Sequence, residues 1–301
     1  MKNIELTSNV CGYYKLSIKR KNGSIDDVTD WFKNIITNQG LDYFGSSARS
    51  SMLSYCQVGT GTTTPSQSDI ALSSLLASTN SKSVVANAST TSSPYYNYLR
   101  IQYSFATGGV TGNITEIGTG WGLSSSLFSR SLILDGSGNP TSITVLSDEQ
   151  LIATYELRMS MPTSDLAGSI TLNSISYTWT SRAASVTSSA WNVNIDSSTG
   201  EGYGVASGQV SHDVTISAIT SSPAGNISLS SSCSSSLYSN GNYYRDHTIS
   251  FGPSQGVFAG GIGSIVFNIG SCSYQIGFSP FIPKTNIQTL SFTIRHSWAR
   301  S

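Results

Sequence analysis

The chain has 301 residues, of which 11% are charged, and its sixteen Lys and Arg balance sixteen Asp and Glu. A soluble metabolic enzyme carries charge on about a quarter of its residues, and a protein that neutralises phosphates needs an excess of cations. This composition therefore argues against nucleic acid as a partner, and so little charge leaves little to hold copies of the chain apart.

Met1-Lys2-Asn3-Ile4-Glu5 lacks the apolar stretch of a secretory signal, and no later segment has the length and hydropathy of a membrane span, so no membrane insertion is expected. The basic run Lys19-Arg20-Lys21 precedes Asn22-Gly23 and Asp26-Asp27; it reads as the solvated end of a hairpin and as a candidate assembly contact. Two short helices are predicted in this first part. Trp31, Phe32, Ile35 and Ile36 share one side of a helix over 30–36 that stops near Gly40. Thr64-Pro65-Ser66-Gln67 offers a cap, a proline at the first helical position and a glutamine at the third, which predicts a helix over 64–77.

Beyond Ala77 the pattern is strand and turn. Alternation of apolar and polar residues predicts strands over 98–105, 113–117, 127–134, 141–145, 150–159, 175–179, 191–195, 265–269, 274–278 and 290–294. Asp135-Gly136-Ser137-Gly138-Asn139-Pro140 marks a hairpin, because glycine and asparagine tolerate positive φ. Pro162 and the polar residues after it suggest a boundary between an N-terminal β module with short helices (1–162), used for attachment and assembly, and a C-terminal β-sandwich-like domain (163–301). The expected fold class is all-β, mainly antiparallel and sandwich-like, with the two short helices in the N-terminal part.

Gln57-Val58-Gly59-Thr60-Gly61-Thr62-Thr63-Thr64-Pro65, continued through Ser68-Asp69-Ile70-Ala71-Leu72 to Leu75, resembles the opening module of many tailed-bacteriophage tail and fibre proteins. Ile114-Thr115-Glu116-Ile117-Gly118, Phe128-Ser129-Arg130 and Tyr155-Glu156-Leu157-Arg158 resemble later pieces of the same module, and together they cover roughly residues 35–160. The chain departs from the pattern at Thr119-Gly120-Trp121-Gly122, where an apolar continuation is usual. The resemblance implies a virion structural protein, made in the cytoplasm of a host bacterium: a tail fibre or tail-tip component that mediates assembly and touches the host surface. A collar, neck, hub or decoration protein is the alternative. Implied partners are copies of itself, a homotrimer before a hexamer, and other tail or virion proteins.

Glu116 is scarce charge in an apolar strand, so it must find a cation such as Arg130 or Arg158; Glu116 and Arg130 are candidate assembly contacts. The cluster Tyr238-Ser239-Asn240-Gly241-Asn242-Tyr243-Tyr244-Arg245-Asp246-His247 places rings beside Asn, Arg and Asp in what reads as an exposed loop. Tyr238, Asn242, Tyr243, Tyr244, Arg245 and Asp246 are therefore candidate contacts for a host-surface glycan.

No reaction is expected. Gly252-Pro253-Ser254-Gln255-Gly256 matches a nucleophile-elbow string, but no Asp or Glu follows it and a glycine pair breaks the helix it would need. The acids Asp148, Glu149, Asp165, Asp196, Glu201, Asp213 and Asp246 form no spaced pair for glycan hydrolysis. Cys11, Cys56, Cys233 and Cys272 are scattered and read as isolated thiols, and His212, His247 and His296 lack metal-ligand spacing, so neither metal nor cofactor is expected.

Overall fold

The computed structural model describes residues 4–46, 51–188, 206–269 and 272–301. The strand expected over 191–195 and the acids Asp196 and Glu201 lie outside them. The strand Ile4–Lys19, which is not among the strands expected from the sequence because Ser8 and Gly12 interrupt its apolar face, buries every second residue from Ile4 to Ile18. It lies inside a nine-stranded sheet whose main order is Ser232–Ser235, Tyr244–Phe251, Leu290–Arg300, Ile4–Lys19, Gln150–Ser160, Asn97–Ser104 and Lys82–Ser89. Gln150–Ser160 runs antiparallel along one side of Ile4–Lys19. The other side is shared by Leu290–Arg300, parallel to it, and by the short antiparallel strands Phe32–Lys33 and Ile25–Asp27. The sheet thus takes strands from both sides of the boundary expected at 162.

Two further sheets cover its buried face. A five-stranded sheet holds Ile35–Ile36, Leu127–Leu132, Glu116–Gly120, Tyr55–Gly59 and Leu75–Thr79. It meets the C-terminal half of Ile4–Lys19, where the buried Tyr14 hydroxyl bonds Ser129 (2.8 Å) and Thr119 (3.1 Å). A six-stranded sheet, in the order Leu166–Leu172, Ile175–Ala183, Cys272–Ile282, Ile262–Ile269, Ala206–His212 and Ile227–Leu229, meets the N-terminal half. There the Tyr274 ring lies 5.9 Å from that of His296, whose Nε2 is 3.1 Å from Ser8 Oγ. Gly112–Ile114 and Ile143–Val145 form a separate two-stranded ribbon, whose Ile114, Ile143 and Val145 are buried in the core. None of the four cysteines is in a disulfide, and Cys56 and Cys272 are buried.

The all-β expectation fails in its helices: among the described residues there is one α-helix, Asn38–Gly45, and not two. Residues 32–36 pair as strand with Ile4–Lys19 and Leu127–Leu132, and the helix begins only where Thr37 caps it by accepting from the Gly40 amide at 2.9 Å. Gly40 lies so close to the Phe128 carbonyl that any Cβ would collide with it. The helix expected over 64–77 is absent; residues 66–74 form turns and Leu75–Thr79 is a strand. Its Ser and Asp side chains bond their own backbone, Asp69 to the Ser66 amide at 2.8 Å and Ser66 to the Ser68 amide at 3.3 Å, and so compete with a helix. Replacing Thr37 with Ala is expected to cost about 1 kcal/mol, more if the buried Thr37 hydroxyl's bond to the Leu127 carbonyl counts in full, while Thr64→Ala leaves the urea midpoint unchanged. Equal effects at the two positions would contradict this assignment of the cap.

Candidate functional site

Three of the four segments that carry the phage-tail resemblance converge in space on one carboxylate, while Tyr155–Arg158 lies in the nine-stranded sheet. Glu116 opens the strand Glu116–Gly120, in register with Gly59 on one side and Leu132 on the other, and it is fully buried. Its Oε1 accepts from the backbone amides of Gly61 (3.0 Å) and Ser74 (2.7 Å); Oε2 accepts from the Ser73 amide (3.1 Å) and from Arg130 Nη2 (2.8 Å) and Nε (3.1 Å). Arg130, also buried, extends Nη1 to Asp69 (2.5 Å) and Nη2 to the Thr63 carbonyl (2.9 Å). The loop between Tyr55–Gly59 and Leu75–Thr79 is thereby folded around an Asp69–Arg130–Glu116 chain. The Gly-x-Gly pair has a physical reason here: a Cβ on Gly59 or Gly61 would run into the Glu116 carboxylate.

Burial alone would push the Glu116 carboxyl up. The Ser74 and Ser73 amides and the Arg130 guanidinium outweigh it and hold the group below the ordinary carboxylate value. Sequence reasoning found Glu116 and Arg130 and left Arg158 as an alternative cation; the structure joins the first two and gives Arg158 to Glu156. It missed Asp69 as the second anion, although Asp69 stands in the same motif. Glu116 and Arg130, expected as assembly contacts, are buried within the chain and pair with each other.

Lys19-Arg20-Lys21 does close the hairpin between Ile4–Lys19 and Ile25–Asp27. Arg20 bridges Asp26 (2.8 Å) and Glu149 (2.7 Å), Lys21 lies 3.4 Å from Asp148, and Lys19 is exposed. The aromatic cluster is less of a loop than expected. Tyr244–Phe251 is a strand inside the nine-stranded sheet, so Tyr244, Arg245 and Asp246 are strand residues and the turn is confined to 239–243. Tyr238 bonds Asp42 through its hydroxyl (2.6 Å) and packs against Trp298. Tyr243 takes positive φ and accepts the Trp298 amide at 2.9 Å, Arg245 is buried with Nε on the Ser236 carbonyl (2.9 Å), and Tyr244 carries Arg295 over its ring at 3.8 Å. Asn242 is exposed in the turn, and Tyr238, Tyr243, Tyr244 and Asp246 are half-buried. Short turn signals hid a strand because Asn-Gly sits immediately before it.

Asp246 pairs with Arg295 (2.8 Å) and not with His247, which points to the opposite, buried face. Among the other candidate acids, Asp148 and Glu149 serve Lys21 and Arg20, Asp165 serves Arg182, and Asp213 caps Asn226. Ser254 lies in a turn with positive φ. Among the described residues no three His, Cys, Asp or Glu side chains gather as a metal site, and no helix is long and apolar enough to cross a membrane. No family model, curated protein or solved structure matches the chain.

Two outcomes are expected. Arg130→Met leaves Glu116 buried without its cation, which is expected to cost about 3–5 kcal/mol and to open residues 60–74 to limited proteolysis; a loss below about 1 kcal/mol would show that the loop holds without the ion pair. The second concerns His247, pushed down to about 4 by burial and then by Arg245, and His296, pushed down to about 3 by burial and then by His247. Both lie below the ordinary value of about 6.5, so the unfolded chain binds the extra protons: their stabilisation is complete above pH 6.5 and is lost as pH falls toward 4 and 3. Between pH 7 and pH 5 the unfolding free energy is expected to drop by roughly 1–2 kcal/mol per histidine. A flat urea-denaturation profile over that interval would contradict it.

Proposed function

We propose that the chain is a structural protein of a tailed-bacteriophage particle, a tail-fibre or tail-tip component that assembles with copies of itself. The observation that carries this reading is the convergence of Gly59, Gly61, Asp69, Glu116 and Arg130, all from the segments of the resemblance, on one buried charge chain. Its amide and carboxylate groups are all engaged in holding a loop, the work of a scaffold and not of a reacting centre.

The loop leads into an apolar edge. Ile70 on it, Leu75 and Leu76 on Leu75–Thr79, and Val84 and Val85 on Lys82–Ser89 are exposed, and these two strands are the outer strands of the five- and nine-stranded sheets. Open strand edges with apolar side chains join other chains unless something blocks them, and a chain with no net charge offers no repulsion to do so. Closed symmetric rings are the usual outcome of such contacts, and a trimer is the reading taken.

Light scattering of the purified chain at micromolar concentration is expected to give three times 31.9 kDa, and Val84→Lys with Val85→Lys is expected to return the monomer. A monomeric native chain that is also missing from purified tails would overturn the proposal.

A further inference from the structure

The nine-stranded sheet has a second face, opposite the core. Tyr13, Glu156 and Arg100 stand side by side across three strands, and in the neighbouring row Cys11, Arg158 and Tyr98 do the same. Glu156 is fully buried between the two arginines. Arg100 gives its Nε to Glu156 Oε2, and Arg158 gives its Nε to Oε1 at 2.5 Å. Both carboxylate oxygens are thus consumed by one N–H each. The Nη groups of both guanidiniums are left without a hydrogen-bond acceptor among the described residues.

Rings fix these cations in place. Arg158 lies 4.0 Å from the centroid of Tyr13 and 4.5 Å from that of Tyr96; Arg100 lies 4.9 Å from Tyr98 and 5.3 Å from the exposed Trp31. Lys33, directly opposite Tyr13 on the adjoining strand, is exposed and has no ion-pair partner among the described residues. Two arginines and a lysine around one carboxylate leave an excess of positive charge in a chain whose formal net charge is zero. Stacked guanidiniums with free Nη edges are built to take a carboxylate in two parallel hydrogen bonds, and ring edges beside them suit the C–H faces of a sugar.

We propose that this face binds a carboxylate-bearing saccharide chain. A second copy of the protein is a poor source of the anion, because its exposed acids are few and Asp26, Asp27, Asp148, Asp165 and Asp246 are already paired with cations. Three cations are too few for the run of phosphates in a nucleic acid. The site is distinct from the Tyr238 to Asp246 cluster, and it stands on its own geometry whether or not the chain belongs to a phage particle.

Calorimetric titration of the full chain at low salt tests it, with oligogalacturonate and oligosialic acid as probes, maltohexaose as the neutral control and a thymidine decamer as the phosphate control. At least one acidic saccharide is expected to bind with a submillimolar Kd, about tenfold or more tighter than maltohexaose. Arg158→Gln, which leaves Arg100 on Glu156, is expected to weaken that binding about tenfold. Trp31→Ala, at a position 37% exposed on the rim of the face, is expected to weaken it about threefold and keeps the test decisive if the arginine variant misfolds. Neither acidic saccharide binding below about 5 mM, equal binding of maltohexaose, or tighter binding of the decamer would overturn the proposal. So would dissociation of the oligomer by Arg158→Gln, which would make the face a contact between copies.

Discussion

The sixteen-residue strand Ile4–Lys19, alternately buried as far as Leu16, sets the terms for the rest of the molecule. A strand of that length turns eight residues, Gly12 among them, to one face, and two separate sheets share its cover. The five-stranded sheet is anchored at Tyr14 and the six-stranded sheet at Thr7, whose carbonyl accepts from the Tyr274 hydroxyl at 2.6 Å. The same strand offers two edges along its whole length. One takes Gln150–Ser160, and the other is divided among Leu290–Arg300, Phe32–Lys33 and Ile25–Asp27, which draws the far end of the chain back to its beginning.

With the core so supplied, the few charges are free for local tasks, and the chain spends them in two carboxylate-centred arrangements. Glu116 sits inside, surrounded by amides and one arginine, and every one of its contacts shapes a loop. Glu156 sits under the outer face between two arginines and contacts no backbone amide among the described hydrogen bonds. The first arrangement is saturated, and its free energy lies in structure. The second leaves guanidinium donors facing water, so its unused capacity points outward.

The strands were legible because alternation reports burial directly: 98–105, 127–134, 150–159 and 290–294 each fall on an observed strand to within a few residues. The helices were not. Thr64 to Gln67 carries a sound local capping signal, but Asp69 is pulled to Arg130 and the Ser73 and Ser74 amides to Glu116, partners 42 residues and more away that no local pattern encodes. At 30–36 the competition was strand pairing, again a long-range term. Half of the candidate site was readable for the converse reason: an isolated Glu in an apolar strand must be neutralised, whereas which of two arginines does so depends on register. Alternation within one strand puts Arg158 beside Glu156, but nothing in the local sequence brings Tyr13 and Arg100 to them, since those meet only when strands far apart in the chain align.

The central claim is that Ile4–Lys19 ties both halves of the chain into one cooperative unit. Native-state hydrogen exchange as a function of denaturant tests it most directly. Amides of 4–19, 150–160 and 290–300 are expected to merge onto a single isotherm with the free energy of global unfolding. If residues 206–301 instead open together at a distinctly lower free energy while the amides of 4–19 and 150–160 stay protected, the strand is not the organising element and the account of the fold is wrong.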